Sequence, residues 1–353
     1  MPLLQFYPKR SGFGILTSFL FLLTAIPNAI AWTPTTSSKE SSDDVVSVSF
    51  LNQVERSVQR VLSQYNDTSL SSSKLNKNNI LDLPPAEREA LGVAKHLDQR
   101  LRNLRRNKDC PSCWMQRAHC ICSHCGPVKL PIGKLRRLFL IMHHKEIGFK
   151  LDTAKLVLMA FPNHSRLVVG GIGPEYQDSM KELLETLHTR RRKCLVLFPD
   201  ETARTFEEIE MNEQVMKNSF DPILDAANDN SGGWDIIVVD GTWAQARKLF
   251  SRYLPDEGEG GPRRVQLSDQ ALERLQSSTE YGSRNPGYQL RRHSVAWRQI
   301  GTFEATRLFL RDLFTGVGSD VPTGEGRFWD DIEAYQEIAN QAARRELGPP
   351  RTR

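Results

Sequence analysis

Two groups of residues in this chain have the types and spacing to do chemistry. The first is a run of thiols, Cys110, Cys113, Cys120 and Cys122, spaced C-x2-C-x6-C-x-C, with His119, His124 and Cys125 beside them. Four thiolates in so short a stretch suit a tetrahedral Zn2+ site. Free buried thiols and a redox C-x-x-C pair are the competing readings, and the tight second pair, C-x-C, argues for metal. With Cys125 so close, the choice of four ligands from five cysteines stays open. The second group consists of polar residues at the ends of apolar runs. "LIMHHKE" ends in His143, His144 and Glu146; "LFPDETA" supplies Pro199, Asp200, Glu201 and Thr202; "VVDGTW" supplies Asp240, Gly241, Thr242 and Trp243. "IGTFEA" places Thr302 and Glu304 at a helix start. Carboxylates and imidazoles move protons, and an indole stacks on a planar base.

Each of these has a structural explanation as well. Thr242 reads as a helix N-cap, Thr302 with a later acid as a helix-start device, and His143 as a satisfied core histidine. Four such sites at equivalent positions, however, define a shared pocket if the apolar runs are parallel strands, because ligands collect beyond the carboxyl ends of such strands. No G-x-G-x-x-G and no G-x-x-x-x-G-K-[ST] occurs in the sequence, so dinucleotide and nucleotide-triphosphate binding have no support.

The pattern between the motifs supplies those strands. "LRRLFLIMHH", "RLVVGG", "CLVLFP" and "WDIIVVDG" are short apolar runs bounded by turn residues, as buried parallel strands are. They alternate with helical patterns in "DTAKLVLMAF", "YQDSMKELLETLHTRRR", "TWAQARKLFSRYL" and "GTFEATRLFLRDLF", while "PDEGEGGPRR" reads as a flexible loop. The expected fold is an α/β domain over 108–316, a mainly parallel sheet with flanking helices, preceded by the cysteine-rich zinc knuckle at 110–125. A helix over 86–107 leads into it, with prolines at its start and a basic end. Residues 317–353 form a helical tail.

The start of the chain is read differently. Lys9 and Arg10 precede the apolar run "FGILTSFLFLLTAI", which is shorter than the roughly 20 residues of a membrane span. With small residues at Ala29–Ala31 this is a signal peptide over 1–31, and the mature chain is expected to have no stable membrane association. The Ser- and Thr-rich stretch after it resembles the second half of a presequence addressed to a complex plastid; plain secretion is the alternative. Clustered rather than scattered cysteines favour the reducing interior of an organelle. Residues 32–85 are otherwise polar, expected to be a disordered linker holding one weakly amphipathic helical segment, "VSFLNQVERSVQRVLSQY". The net charge is only +5, but arginines cluster in "RLRNLRRNK", "KLRR" and "RRRK" beside the motifs, which points to a polyanionic partner.

Taken in order, "CPSCWMQRAHCIC", "HHKE" followed by Thr153-Ala154, "LFPDETA", "VVDGTWAQARK" and "YQLRR" before "GTFEA" resemble the DTW-domain family over about 200 residues. His144 stands where the family usually has proline. Of two Y-x-x-R elements, Tyr288–Arg291 fits the family spacing to "GTFEA" better than Tyr281–Arg284. The resemblance implies a fold related to the knotted, SPOUT-like methyltransferases. It also implies a tRNA-uridine aminocarboxypropyltransferase, with S-adenosylmethionine as co-substrate and tRNA as partner. On that resemblance Asp240, Thr242 and Trp243 are the catalytic candidates, Asp240 as base or as partner of the sulfonium. Trp243 is either a stacking platform or an indole covering the sheet. Pro199, Asp240, Gly241, Arg291, Thr302 and Glu304 would line the cofactor site, Arg291 clamping a carboxylate or phosphate. His143, Glu146, Arg105 and Arg106 would meet the substrate, and Cys110, Cys113, Cys120 and Cys122 would hold zinc. An S-adenosylmethionine-dependent RNA methyltransferase and a non-catalytic zinc-dependent RNA-binding protein are the other two readings.

Overall fold

The computed structural model describes residues 50–67, 81–130, 133–219, 232–273, 301–315 and 326–348. The signal peptide at 1–31, most of the presequence and Arg291 lie outside these residues. Five strands, β1 (Leu135–His143), β2 (Ser165–Gly170), β3 (Cys194–Leu197), β4 (Trp234–Asp240) and β5 (Arg263–Val265), form one sheet in the order β2-β1-β4-β3-β5, every pair parallel.

The sheet is buried on both faces because its strands are apolar on both. Phe139, Ile141, Val168, Val196 and Ile237 point to one side, where they meet helices α4 (Asp178–Arg190) and α6 (Trp243–Tyr253) through Leu183, Leu187, Leu249 and Phe250. Leu138, Leu140, Met142, Ile236 and Val238 point to the other. There they pack under α2 (Pro85–Arg106), α3 (Ala154–Ala160), α7 (Thr302–Thr315) and α8 (Gly326–Leu347). The helical tail is thus part of the core: Trp329 and Ile332 of α8 are fully buried.

Three elements differ from expectation. The helical segment within 32–85 is α1 (Phe50–Asp67), built into the fold by Leu51, Val54, Val58 and Val61, which recur at helical spacing and are buried against α2. Helix α5 (Phe206–Ser219) is a further element, its apolar residues too sparse to mark a face. β5 begins at the end of the stretch read as a loop; it is only three residues long and carries Arg263 and Arg264 on the sheet's edge, where charge is tolerated.

The basic runs are largely structural. Asp235, fully buried at the start of β4, is bonded by Arg136 at 2.7 Å and Arg190 at 3.2 Å. Arg137 pairs with Glu182 at 2.8 Å, Arg102 with Asp98, and Arg105 with Glu55. Among the described residues, no helix is long and apolar enough to cross a membrane.

Candidate active site and metal centre

β1 and β4 run side by side, with Met142 opposite Asp240. The chain leaves β1 toward β2 and leaves β4 toward the opposite edge, so the two strand ends flank a topological switch point. After Asp240 the backbone turns through Gly241 at φ 148°, a conformation that disfavours side chains. A Cβ there would sit 3.1 Å from Gln245 Cβ and 3.3 Å from His143 Cβ, so glycine lets the turn press against the end of β1. Thr242 then caps α6. Its hydroxyl accepts the Gln245 N–H at 3.4 Å, and Gln245 Oε1 accepts the Thr242 N–H at 2.7 Å, a capping box.

Asp240 is buried, 4% exposed, and its Oδ1 accepts a 2.5 Å hydrogen bond from the Thr302 hydroxyl at the start of α7. Two motifs far apart in the sequence therefore meet at one carboxylate. Trp243 is 48% exposed, with its ring parallel to Phe198 at 5.3 Å between centroids and 8° between planes. It is no cover for the sheet: one face rests on the end of β3, and the indole stands at the surface as a platform. Pro199 follows Phe198. Asp200 is bonded by Thr202 and by Arg264 at 2.7 Å; burial pushes its carboxyl up, but these donors outweigh it and hold it below the usual range.

His143 and His144 stack at 4.3 Å, and His96 of α2 meets His144 edge-on at 5.5 Å. Burial, then the neighbouring His143 and His96, push His144 down to about 4. Burial and the charge of Lys145 lower His143 as well. Glu146 sits in the turn after His143, its N–H donating to the His143 carbonyl. His96 was not legible as a site residue, since nothing in the local pattern of a basic helix marks one imidazole.

Other expected site residues take different positions. Glu304 is buried and bonded to Arg307 of its own helix at 2.6 Å, and Arg307 also reaches Glu333 of α8, so this carboxylate ties α7 to α8. Arg105 answers Glu55 of α1, and Arg106 bonds Asn103. None of the contacts of these two arginines reaches the strand-end cluster.

The thiols meet as a second centre. The sulfurs of Cys110, Cys113, Cys120 and Cys122 all lie within 4.8 Å of one another, with 3.5 Å between Cys110 and Cys122 and 3.7 Å between Cys113 and Cys120. A tetrahedral Zn–S bond of about 2.3 Å sets sulfurs about 3.8 Å apart, so the residues fit zinc. Cys125 is not in the set: it is buried, with Sγ 4.0 Å from the Tyr335 carbonyl. The Cys110–Cys113 turn is closed by the Trp114 N–H donating to the Cys110 carbonyl at 2.9 Å, and it holds Trp114 at φ 60°. Trp114 is 1% exposed, and the wholly buried Lys155 lies over its ring at 5.8 Å. Burial pushes that amine down to about 8, against the pull of Asp152 and Cys113, and it donates to the Lys150 carbonyl at 2.5 Å. Lys155 supplies positive charge beside a cluster that would carry excess negative charge with four thiolates on one divalent ion.

A parallel α/β domain with a cluster of polar residues at its strand ends and a four-thiol knuckle is thus defined. Residues 107–321 match the family model described as DTW domain, and the chain belongs to that family. It is also 26% identical over 146 residues to tRNA-uridine aminocarboxypropyltransferase 2 of Macaca fascicularis. That alignment covers 41% of this chain and 42% of the relative, so it spans less than half the length of either. No solved structure matches.

Proposed function

We propose that this chain modifies tRNA by moving the 3-amino-3-carboxypropyl group of S-adenosylmethionine to N3 of a uridine, giving acp3U and methylthioadenosine. The observation that carries the reading is the convergence of Asp240, Thr302 and the exposed Trp243 on one strand-end site in a DTW domain. The curated relative's name supports the same reaction class. The site's chemistry fits a sulfonium cation and a planar base: a buried carboxylate answers the charge, and a half-exposed indole offers a face.

In this reading N3 loses its proton, the N3–carbon bond forms and the carbon–sulfur bond breaks, leaving a neutral thioether. Asp240 receives the proton directly or through water, and Thr302 holds the carboxylate in place. Trp243 takes the face of a base swung out of its stack. Because methyl and methylene carbons sit on the same sulfur, the product is chosen by aim, which Gly241 and the capping box of Thr242 hold rigid. Arg291, outside the described residues, would clamp a carboxylate or phosphate. Zinc on the four cysteines would be structural, pinning the knuckle. The leader at 1–31 and the stretch after it would carry the activity into a plastid; a fluorescent fusion found in the secretory pathway would sink that part.

The test incubates the full mature chain with unmodified tRNA and S-adenosylmethionine, then analyses nucleosides by mass spectrometry. Expected are acp3U and methylthioadenosine, lost in Asp240→Asn. S-adenosylhomocysteine with a methylated nucleoside would establish a methyltransferase instead, and an unchanged cofactor a binding protein.

A further inference from the structure

The arginine run of α2 is the obvious place to seat an RNA backbone, yet the described structure neutralises much of it: Arg102 faces Asp98 and Arg105 faces Glu55. The cations around the strand ends are different. Lys145, Arg247 and Lys248 are exposed and have no acidic partner among the described residues. Arg247 stands one helical turn from Trp243 on the exposed side of α6, and Lys248 lies beside it. Lys145 follows the imidazole pair at the end of β1. Lys145 and Lys248 both bear electrostatically on His143, whose Cβ packs close against the Gly241 turn. α6 packs closely on this end of the sheet: Leu249 Cδ2 fills the space that a Cβ on Gly170 would need.

We infer that the exposed face of α6, from Trp243 through Arg247 and Lys248, together with Lys145, is the seat of a single-stranded RNA loop. The cations take the phosphates that flank the nucleotide on the indole. The inference rests on the proposed function for the identity of the RNA, but it stands on charge and geometry at the rim. An exposed aromatic ring next to unanswered cations is the combination that holds unpaired nucleotides, stacking supplying the base contact and lysine or arginine the backbone contact. Folded duplex backbone without a splayed base would leave the indole unused.

Arg247→Gln combined with Lys248→Gln removes two charges on an exposed helix face while keeping good helix formers. Binding of an unmodified tRNA transcript is followed over a range of salt concentrations. Each lost single-strand phosphate contact flattens the log–log salt slope by about 0.7, so the double variant loses about 1.4 in slope and roughly twenty-fold in affinity near 0.1 M salt. Arg191→Gln combined with Arg192→Gln takes the same charge from the opposite end of the strands, just before β3, and is expected to change the slope by less than half as much. Circular dichroism and S-adenosylmethionine binding show that both variants are folded. A slope unchanged in the α6 variant, or an equal loss in the control pair, overturns the inference. So does an equal effect on a DNA hairpin of matched length, which would mean a general polyanion surface. If the protein binds tRNA through α6 but transfers nothing, the activity reading fails while the surface stands; transfer with an α6 variant of normal affinity reverses that outcome.

Discussion

At the scale of single residues, the site is held by a few close contacts rather than by many. Thr302 donates to Asp240 across the whole span between β4 and α7. Thr302→Val keeps the shape and removes the donor; transfer is expected to fall roughly tenfold or more, with Thr302→Ser restoring most of it, measured as acp3U formed per minute. Full activity in Thr302→Val, with a loss in Thr302→Ser, would mean that the methyl group matters and the hydroxyl does not. Gly241→Ala puts a Cβ into a backbone turn at φ 148° and against Gln245 and His143. A cost of about 1–3 kcal/mol in denaturant unfolding is expected. The imidazoles make acid a specific liability. His144 has an ordinary value near 6.5 in the unfolded chain and about 4 when folded, because burial disfavours its charge. Between those values the unfolded chain binds the extra proton, so stability is intact above 6.5 and falls as the pH drops toward 4. His144→Asn should flatten that limb of the unfolding-against-pH curve.

At the scale of elements, the knuckle and α8 depend on each other. Glu346 of α8 accepts the Gln116 N–H at 3.0 Å and pairs with Lys150, while Tyr335 donates to the Gly126 carbonyl at 2.9 Å. Purified protein is expected to hold about one zinc per chain, lost in Cys113→Ser with a clear fall in Tm and retained in Cys125→Ser. Metal retained by the first variant, or lost by the second, would assign the ligands differently. The strands and most helices were legible because a two-sided buried sheet writes itself as apolar runs. β5 and α5 were not, since three residues with two arginines carry no pattern, and sparse apolar residues mark no face. The site was legible as a set of strand ends. Its wiring was not: no periodicity says that Thr302 faces Asp240, that Glu304 turns to Arg307, or that Arg105 answers Glu55, fifty residues earlier in the stretch read as a linker.

At the scale of the whole molecule, the sheet domain and the tail are one unit. A chain ending at residue 325 would uncover the pocket filled by Trp329, Ile332, Ala342 and Ala343 and would free the knuckle. Such a truncation is expected to be insoluble or to lose its metal, as gel filtration and metal analysis would show; a well-folded, zinc-bound product would make α8 an accessory.

The strand order also sets a timetable. β1 emerges from the ribosome long before β4, yet the two lie side by side with Met142 facing Asp240, and Asp240 in turn waits for Thr302. Closing such distant pairs costs chain entropy before any contact repays it. A nascent chain therefore cannot seat Thr302 on Asp240 until α7 has been synthesised, nor brace its thiol knuckle until α8 follows. An unfinished chain thus holds its strand ends without the Thr302 contact on which the proposed activity depends.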